Sequence, residues 1–85
     1  MRGEVEQARS YHQEALGLYR EIGAPEGQAE ALRELGAVSR QTGDLVLAAS
    51  YLQEVLTLFQ AIGAKLEVAK TEALLRQVHA QLVAA

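Results

Sequence analysis

The chain has 85 residues and a formal net charge of −3, so it is long enough for one small domain and has no excess of positive charge. Because nucleic acids and anionic membranes attract basic surfaces, this balance argues against both kinds of partner. Cysteine is absent, which excludes disulfides and thiolate zinc sites and favours a reducing, cytoplasmic location.

The first predicted helix covers about residues 4–22, where apolar side chains recur three or four positions apart. This spacing places them on one face of an α-helix. The start of the segment is polar, so it has the pattern of neither a signal peptide nor a membrane span. The apolar stripe of this helix consists of Val5, Ala8, His12, Ala15, Tyr19 and Ile22.

The second predicted helix is shorter and covers about residues 26–41. Pro25 suits a first helical position, because the amide hydrogen that proline lacks would have no partner there. Gly43 predicts the end of the helix, since glycine adopts the left-handed conformation freely, and Asp44 can cap the next helix. Gly36, inside the helix, predicts a close approach to a neighbouring helix. The apolar face is formed by Ala31, Leu35 and Val38.

The third predicted helix, about residues 45–62, repeats the first. Residues 8–24 return as residues 48–64 with ten of seventeen positions identical, a period of forty. Such a period indicates stacked helical hairpins, because neither copy alone has a complete apolar partner. We therefore expect Tyr11 and Tyr51 to have equivalent surroundings. The stripe of the second copy consists of Leu45, Ala48, Leu52, Val55, Phe59 and Ile62.

The fourth predicted helix covers about residues 66–82, with Thr71 on the same face as three larger apolar residues. No segment alternates apolar and polar residues over the length of a strand, and the predicted loops are short, so we expect an all-α fold of antiparallel helical hairpins. Both terminal helices carry apolar residues without a polar cap, which predicts self-association as a homodimer. The predicted oligomer interface consists of Leu75, Val78 and Leu82.

Residue patterns that would support catalysis or metal binding are missing from the sequence. The two histidines, His12 and His79, have no partner at a metal-ligand spacing, so we interpret the first as a packing residue and the second as a surface residue. No glycine-rich phosphate loop and no recognisable pair of nucleophile and base occur. We predict no enzyme activity, no metal and no cofactor.

The segment from residue 31 to residue 56 resembles a tetratricopeptide repeat (TPR). Leu35 and Gly36 match the Leu-Gly pair of that family, Gly43 matches its turn glycine, and Ala48 matches the small residue of its second helix. Val55 replaces the usual second alanine, and the terminal proline is missing. The period of forty, instead of thirty-four, resembles the long-repeat variety found in bacterial signalling regulators and eukaryotic scaffold proteins.

The resemblance implies one TPR-like helical domain over residues 1–85, a short solenoid whose units are out of phase with the chain. Residues 1–24 match the second helix of one unit and residues 25–64 match one complete unit. Residues 65–85 match the first helix of a following unit. This phase favours a fragment of a larger regulatory or scaffold protein.

The resemblance also implies a function in protein–protein interaction, because the first helices of such repeats line a groove that binds a protein or peptide segment. Three cations of these helices, Arg33, Arg40 and Lys70, would suit an acidic partner. Glu34 and Ala37 stand where chaperone-binding members carry asparagine, so their carboxylate clamp is not expected. A structural homo-oligomerisation element and a small-molecule sensor are the alternatives. The predicted partner-binding residues are Glu30, Arg33, Ala37, Arg40, Gln41, Lys70, Gln77 and Gln81.

Overall fold

The computed structural model describes residues 2–84, and these residues form four α-helices without a strand. The all-α prediction is confirmed, and each predicted helix end lies within two residues of the observed one. In chain order the helices are α1 (Arg2–Ile22), α2 (Pro25–Gln41), α3 (Leu45–Ile62) and α4 (Lys65–Ala84).

The short turns between the helices follow from residues that the sequence singled out. Each turn contains a glycine with positive φ, as in Gly43, where φ is 85°. A side chain would be strained in this conformation, so glycine ends the helix there. Asp44 caps the next helix, because its side chain accepts a hydrogen bond of 3.1 Å from the amide of Leu47.

Consecutive helices pack against each other and form a slab of 36 × 30 × 15 Å, with α2 and α3 in the middle. Leucine, alanine and valine make up the buried apolar core, with Phe59 as its one aromatic residue among the described residues. The first core cluster joins α1, α2 and α3 through Leu16, Ala29, Ala31, Leu32, Leu35, Val55 and Phe59. The second core cluster joins α3 and α4 through Ala48, Leu52, Leu56, Leu75 and Val78.

Equivalent faces of α1 and α3 pack against the helix that follows each of them. Leu16 is buried against α2, and Leu56, forty residues later, is buried in the cluster with α4. His12 is half-buried in a cleft that it shares with Ala31 of α2, where the second copy has Leu52. The repeat in the sequence is therefore a repeat of packing on this face.

The opposite faces of the two copies have different surroundings. The expectation that Tyr11 and Tyr51 have equivalent surroundings is therefore wrong. Tyr51 packs against the first core cluster, whereas Tyr11 is 68% exposed. The reason is that α2 covers this face of α3, while the described residues provide no helix for the same face of α1. Ile22 of the predicted stripe is 73% exposed for the same reason, whereas Tyr19 is only 38% exposed, because one side of its ring lies against Gly27 of α2.

The predicted oligomer interface on α4 is also corrected by the structure. Leu75 and Val78 are buried in the second core cluster, and Leu82 is half-buried against it. Leu75 and Val78 therefore belong to the core of this chain, because α3 covers them, and only Leu82 keeps part of its surface exposed. Helical periodicity identified an apolar face correctly but not the helix that packs on it.

Two glycines lie where helices approach each other. A Cβ built at Gly36 would lie 3.5 Å from Cγ of Leu52 and 3.6 Å from Cβ of Tyr51, so the predicted approach of α2 to α3 is present at ordinary van der Waals distance. A Cβ at Gly27, which the sequence did not single out, would overlap the ring of Tyr19. Gly27 therefore makes room for the ring of Tyr19 against α2.

Helix α3 has the length and composition of a membrane span. Its 18 residues have a mean hydropathy of 1.5, and 28% of them are buried. Length and composition do not separate a membrane span from the core helix of a helical domain, which meets the same criteria. In this fold α3 lies between α2 and α4 and contributes to both core clusters.

Candidate functional site

A cleft of about 400 Å³ lies between α2 and α4. Leu52 of α3 and Leu74 of α4 provide apolar lining, and five of the eight predicted partner-binding residues also line it. We call it the α2–α4 cleft. Those five residues are Arg33, Ala37, Arg40, Gln41 and Gln81.

Helical spacing explains how these side chains come together. On α2, Arg33, Ala37 and Arg40 follow each other at intervals of four and three, so they form one row along the helix. On α4, Leu74 and Gln81 belong to a similar row. Because α3 lies between the two helices and is antiparallel to both, α2 and α4 run in the same direction and their rows face one cleft.

Arg40 connects the two walls of the α2–α4 cleft. Its Nε donates a hydrogen bond of 2.8 Å to Oε1 of Gln81, and its Nη2 donates one of 3.4 Å to Oε1 of Gln77. Both acceptors are neutral amides. In the part of the chain that the structure describes, Arg40 has no carboxylate within ion-pair distance, so its positive charge is available to a ligand.

The second arginine of the cleft is balanced within its own helix. Nη2 of Arg33 lies 2.6 Å from Oε2 of Glu30, one turn earlier, and both side chains are partly exposed. Such pairs contribute only a few tenths of a kcal/mol to stability, about 0.2–0.5, but they reduce the net charge near the arginine. The positive potential of the cleft is therefore centred on Arg40.

The remaining predicted residues occupy the edges of this site. Glu30 contacts the cleft through Arg33, and Gln77 contacts it through Arg40. Lys70 is exposed on α4, one turn before Leu74, and is not among the residues that line the cleft. The structure thus brings seven of the eight together directly or through one hydrogen bond.

Three lining residues were not predicted as site residues. Gly36 and Leu52 were interpreted as packing residues, and Leu74 was not singled out. The row that contains Lys70 and Gln77 passes through Leu74, so the spacing could have identified it. Leu52 could not have been found from one helix, because it lines the cleft only when α3 lies between α2 and α4.

A larger cleft of about 500 Å³ lies on another side of the molecule, where α1 and α3 approach each other beside α2. Nη2 of Arg20 and Oε2 of Glu54, which both line it, are 3.7 Å apart. This ion pair neutralises the charges of that cleft. The α2–α4 cleft is the better candidate site, because it combines an unbalanced cation with an apolar floor.

Groups that could hold a metal ion were also sought. Within residues 2–84, no three or more His, Cys, Asp or Glu side chains lie together in a group that could hold a metal ion. The ring of His12 packs edge-on against that of Tyr11, with centroids 5.2 Å apart, and His79 is exposed on α4.

Comparison with known proteins identifies both the fold and the family. The solution NMR structure of the designed protein DA05 is similar to this chain with a TM-score of 0.88, covering 96% of this chain and 82% of the designed one. At 16% identity, this similarity shows the fold alone. A search of curated proteins found no match. The sequence model described as "Tetratricopeptide repeat" matches residues 1–61. The chain therefore belongs to the tetratricopeptide repeat family.

Proposed function

We propose that this chain is a protein–protein interaction module and that it binds an acidic, partly apolar segment of a partner protein in the α2–α4 cleft. Membership of the tetratricopeptide repeat family supports interaction as the general function. The observation that carries the choice of site is the position of Arg40, a cation with neutral partners beside an apolar floor.

The chemistry of the cleft indicates how such a segment would bind. An apolar side chain of the partner would be removed from water against Leu52 and Leu74. A carboxylate of the partner would accept hydrogen bonds from the guanidinium of Arg40, which has five N–H donors and uses only some of them on Gln81 and Gln77. Charge-assisted bonds of this kind are about twice as strong as neutral ones.

The lining also argues against one mode of recognition. A clamp for a terminal carboxylate needs asparagine where this chain has Glu34 and Ala37, and Glu34 lines a different cleft, beside α1. We therefore propose recognition of acidic side chains within a segment instead of its free carboxyl end. The resemblance further supports a long-repeat TPR unit within a larger regulatory or scaffold protein.

A selection from a displayed peptide library tests this function. We expect the selected peptides to combine Asp or Glu with a nearby Leu, Ile or Phe. Their affinity, measured by fluorescence anisotropy, should fall more than about tenfold in the double variant Arg33→Glu, Arg40→Glu, because two attractive charges become repulsive.

The matched control for this test is Arg76→Glu, which reverses an exposed charge of α4 outside the cleft. It should leave the affinity unchanged. Equal losses in the control and the double variant would mean that only net charge matters, and no loss in the double variant would place the site elsewhere.

Self-association as a structural element has weaker support. Of the residues predicted to form its interface, Leu75 and Val78 are covered by α3, and most exposed positions of α4 are polar. The largest group of exposed apolar side chains lies on α1, and single ones such as Val46, Leu66 and Val83 lie on α3 and α4.

A further inference from the structure

A smaller cleft lies on the side of α2 that faces α1. It has a volume of about 260 Å³, and we call it the α1–α2 cleft. Helix α1 contributes the rings of Tyr11, His12 and Tyr19 to its lining, and α2 contributes the carboxylates of Glu30 and Glu34. Aromatic rings beside carboxylates are an environment that favours a cation.

Only one of these two carboxylates is paired. Oε2 of Glu30 lies 2.6 Å from Nη2 of Arg33, one turn later on the same helix. Glu34 is half-buried, and within residues 2–84 no cationic side chain lies at ion-pair distance from its carboxylate. The negative charge of the α1–α2 cleft is therefore centred on Glu34 and is available to a ligand.

The two clefts on either side of α2 thus have opposite charge. Arg40 is the unbalanced cation of the α2–α4 cleft, and Glu34 is the unbalanced carboxylate of the α1–α2 cleft. Six residues separate them, which turns their side chains about 120° apart around the helix. Ala37 lies midway between them and is exposed. Because its side chain is small, a bound segment can pass over α2 at this point.

The internal repeat shows how the chemistry of the two clefts differs. Leu52 lines the α2–α4 cleft, and its counterpart forty residues earlier in the α1–α2 cleft is His12. Leu74 of the first cleft corresponds in the same way to Glu34 of the second. An apolar side chain that packs against two leucines would leave the carboxylate of Glu34 unpaired, whereas a basic side chain would pair with it.

The lining of the α1–α2 cleft favours arginine over lysine. The rings of Tyr11 and His12 pack edge to face, with centroids 5.2 Å apart and planes at 79°, so each restricts the orientation of the other. A guanidinium is planar, stacks on aromatic rings and offers donors that match the geometry of a carboxylate. The ammonium of lysine is a strongly hydrated point charge and gains less from the rings.

From these observations we propose that the partner segment crosses α2 at Ala37 and carries an arginine that binds in the α1–α2 cleft. This arginine donates hydrogen bonds to the carboxylate of Glu34 and packs against the rings of α1. The acidic and apolar residues of the same segment occupy the α2–α4 cleft. The proposal rests on the proposed function, because it concerns the same segment.

The separation of the two charges sets the spacing within the segment. Glu34 and Arg40 are six residues apart, which is about 9 Å along the helix axis. An extended segment covers about 3.3 Å per residue. The arginine of the partner therefore lies at least about three residues from its acidic residue.

Synthetic peptides titrated into the whole ¹⁵N-labelled chain test this proposal. Each contains one Asp-Leu pair and one arginine, separated by about two to five serines, a range around the expected spacing. Both orders are used, because the charges suit both directions of the segment. The reference peptides carry citrulline, a neutral side chain of the same shape, in place of arginine. NMR chemical shifts measure the affinity and locate the peptide.

At the spacings that reach both clefts, the arginine peptide should bind at least about fivefold more tightly than its citrulline reference, because it forms a charge-assisted pair. The difference should shrink at high salt, which screens partly exposed charges. Both peptides should shift the amide signals of Arg40 and Leu74. Only the arginine peptide should shift those of His12 and Glu34.

Variants of the protein test the role of Glu34. Glu34→Gln keeps the shape of the side chain and removes its charge, so the arginine peptide should lose its advantage over citrulline. The matched control, Glu72→Gln, removes an exposed carboxylate of α4 outside both clefts and should preserve the advantage. Glu34→Lys should favour a peptide with glutamate in place of arginine, because the attraction is reversed. The NMR spectrum of each free variant checks its fold.

The outcomes separate this proposal from the proposed function. Equal affinity of arginine and citrulline peptides at every spacing, or an advantage of arginine that persists in Glu34→Gln, would overturn the arginine site. Shifts at Arg40 and Leu74 would then still support binding in the α2–α4 cleft. If none of the peptides shifts the signals of Arg40 and Leu74, the proposed function fails, and the crossing segment fails with it.

Discussion

Helices α1 and α3 are two copies of one sequence pattern in different surroundings. Ten of seventeen aligned positions are identical, and the face that meets the following helix is buried in both. The opposite face is buried only in α3, where α2 covers it. Phe59 is 8% exposed and its counterpart Tyr19 is 38% exposed. A repeated pattern therefore determines which side chains share a face, and the neighbouring helix determines whether that face belongs to the core.

The largest expected difference between the copies is at these two aromatic residues. Phe59→Ala should lower the free energy of unfolding by about 3–5 kcal/mol, because it removes a buried ring and leaves a cavity. Tyr19→Ala should cost much less, about 1 kcal/mol, since water already reaches part of the ring. Urea unfolding followed by circular dichroism measures both. Equal losses would mean that α1 is covered in solution, which would break the comparison.

Replacing the turn glycine of the second copy by alanine should destabilise the fold, and replacing its counterpart in the first copy should stabilise it. Gly43 has positive φ in the turn before α3, so Gly43→Ala should destabilise the fold by about 1–2 kcal/mol. Gly3, forty residues earlier, lies within α1, and a Cβ there would meet nothing within 4 Å. Gly3→Ala should therefore stabilise the fold by about 0.5–1 kcal/mol at most, because alanine favours the helix.

Thermal melts show whether each glycine variant is more or less stable than the unmodified chain. A double variant checks that the two stability changes add. A loss of stability in Gly3→Ala would indicate that residues 2–4 form a turn instead of the first residues of α1. The two copies would then begin alike.

The smallest expected effect concerns the ion pair that joins the two copies. Arg20 of α1 and Glu54 of α3 are 3.7 Å apart, and both side chains are about half exposed. A double-mutant cycle with Arg20→Ala and Glu54→Ala should give a coupling energy of about 0.2–0.5 kcal/mol that decreases with salt. A coupling above about 1 kcal/mol would show that the contact between α1 and α3 contributes more to the fold than the pair's exposure suggests.

The candidate site was predictable where it depends on one helix and not where it depends on several. Arg33, Ala37 and Arg40 form a row whose spacing alone places them together. The apolar lining was missed, since Leu52 belongs to α3 and lines the cleft only through the packing of three helices. The pairing of Arg33 with Glu30 lies within one helix, whereas the neutral partners of Arg40, the amides of Gln77 and Gln81, belong to another helix and were missed.

The sequence by itself determined the four helices, their turns and the repeat, because periodicity, turn glycines and caps act over a few residues of the chain. Only the tertiary structure decided which apolar faces are covered. Leu75 and Val78 proved to be core residues, and Tyr11 and Leu18 proved to be surface residues, although all four lie in apolar stripes. The physical reason is that burial is a property of pairs of helices, and the pattern of one helix does not contain the position of its neighbour.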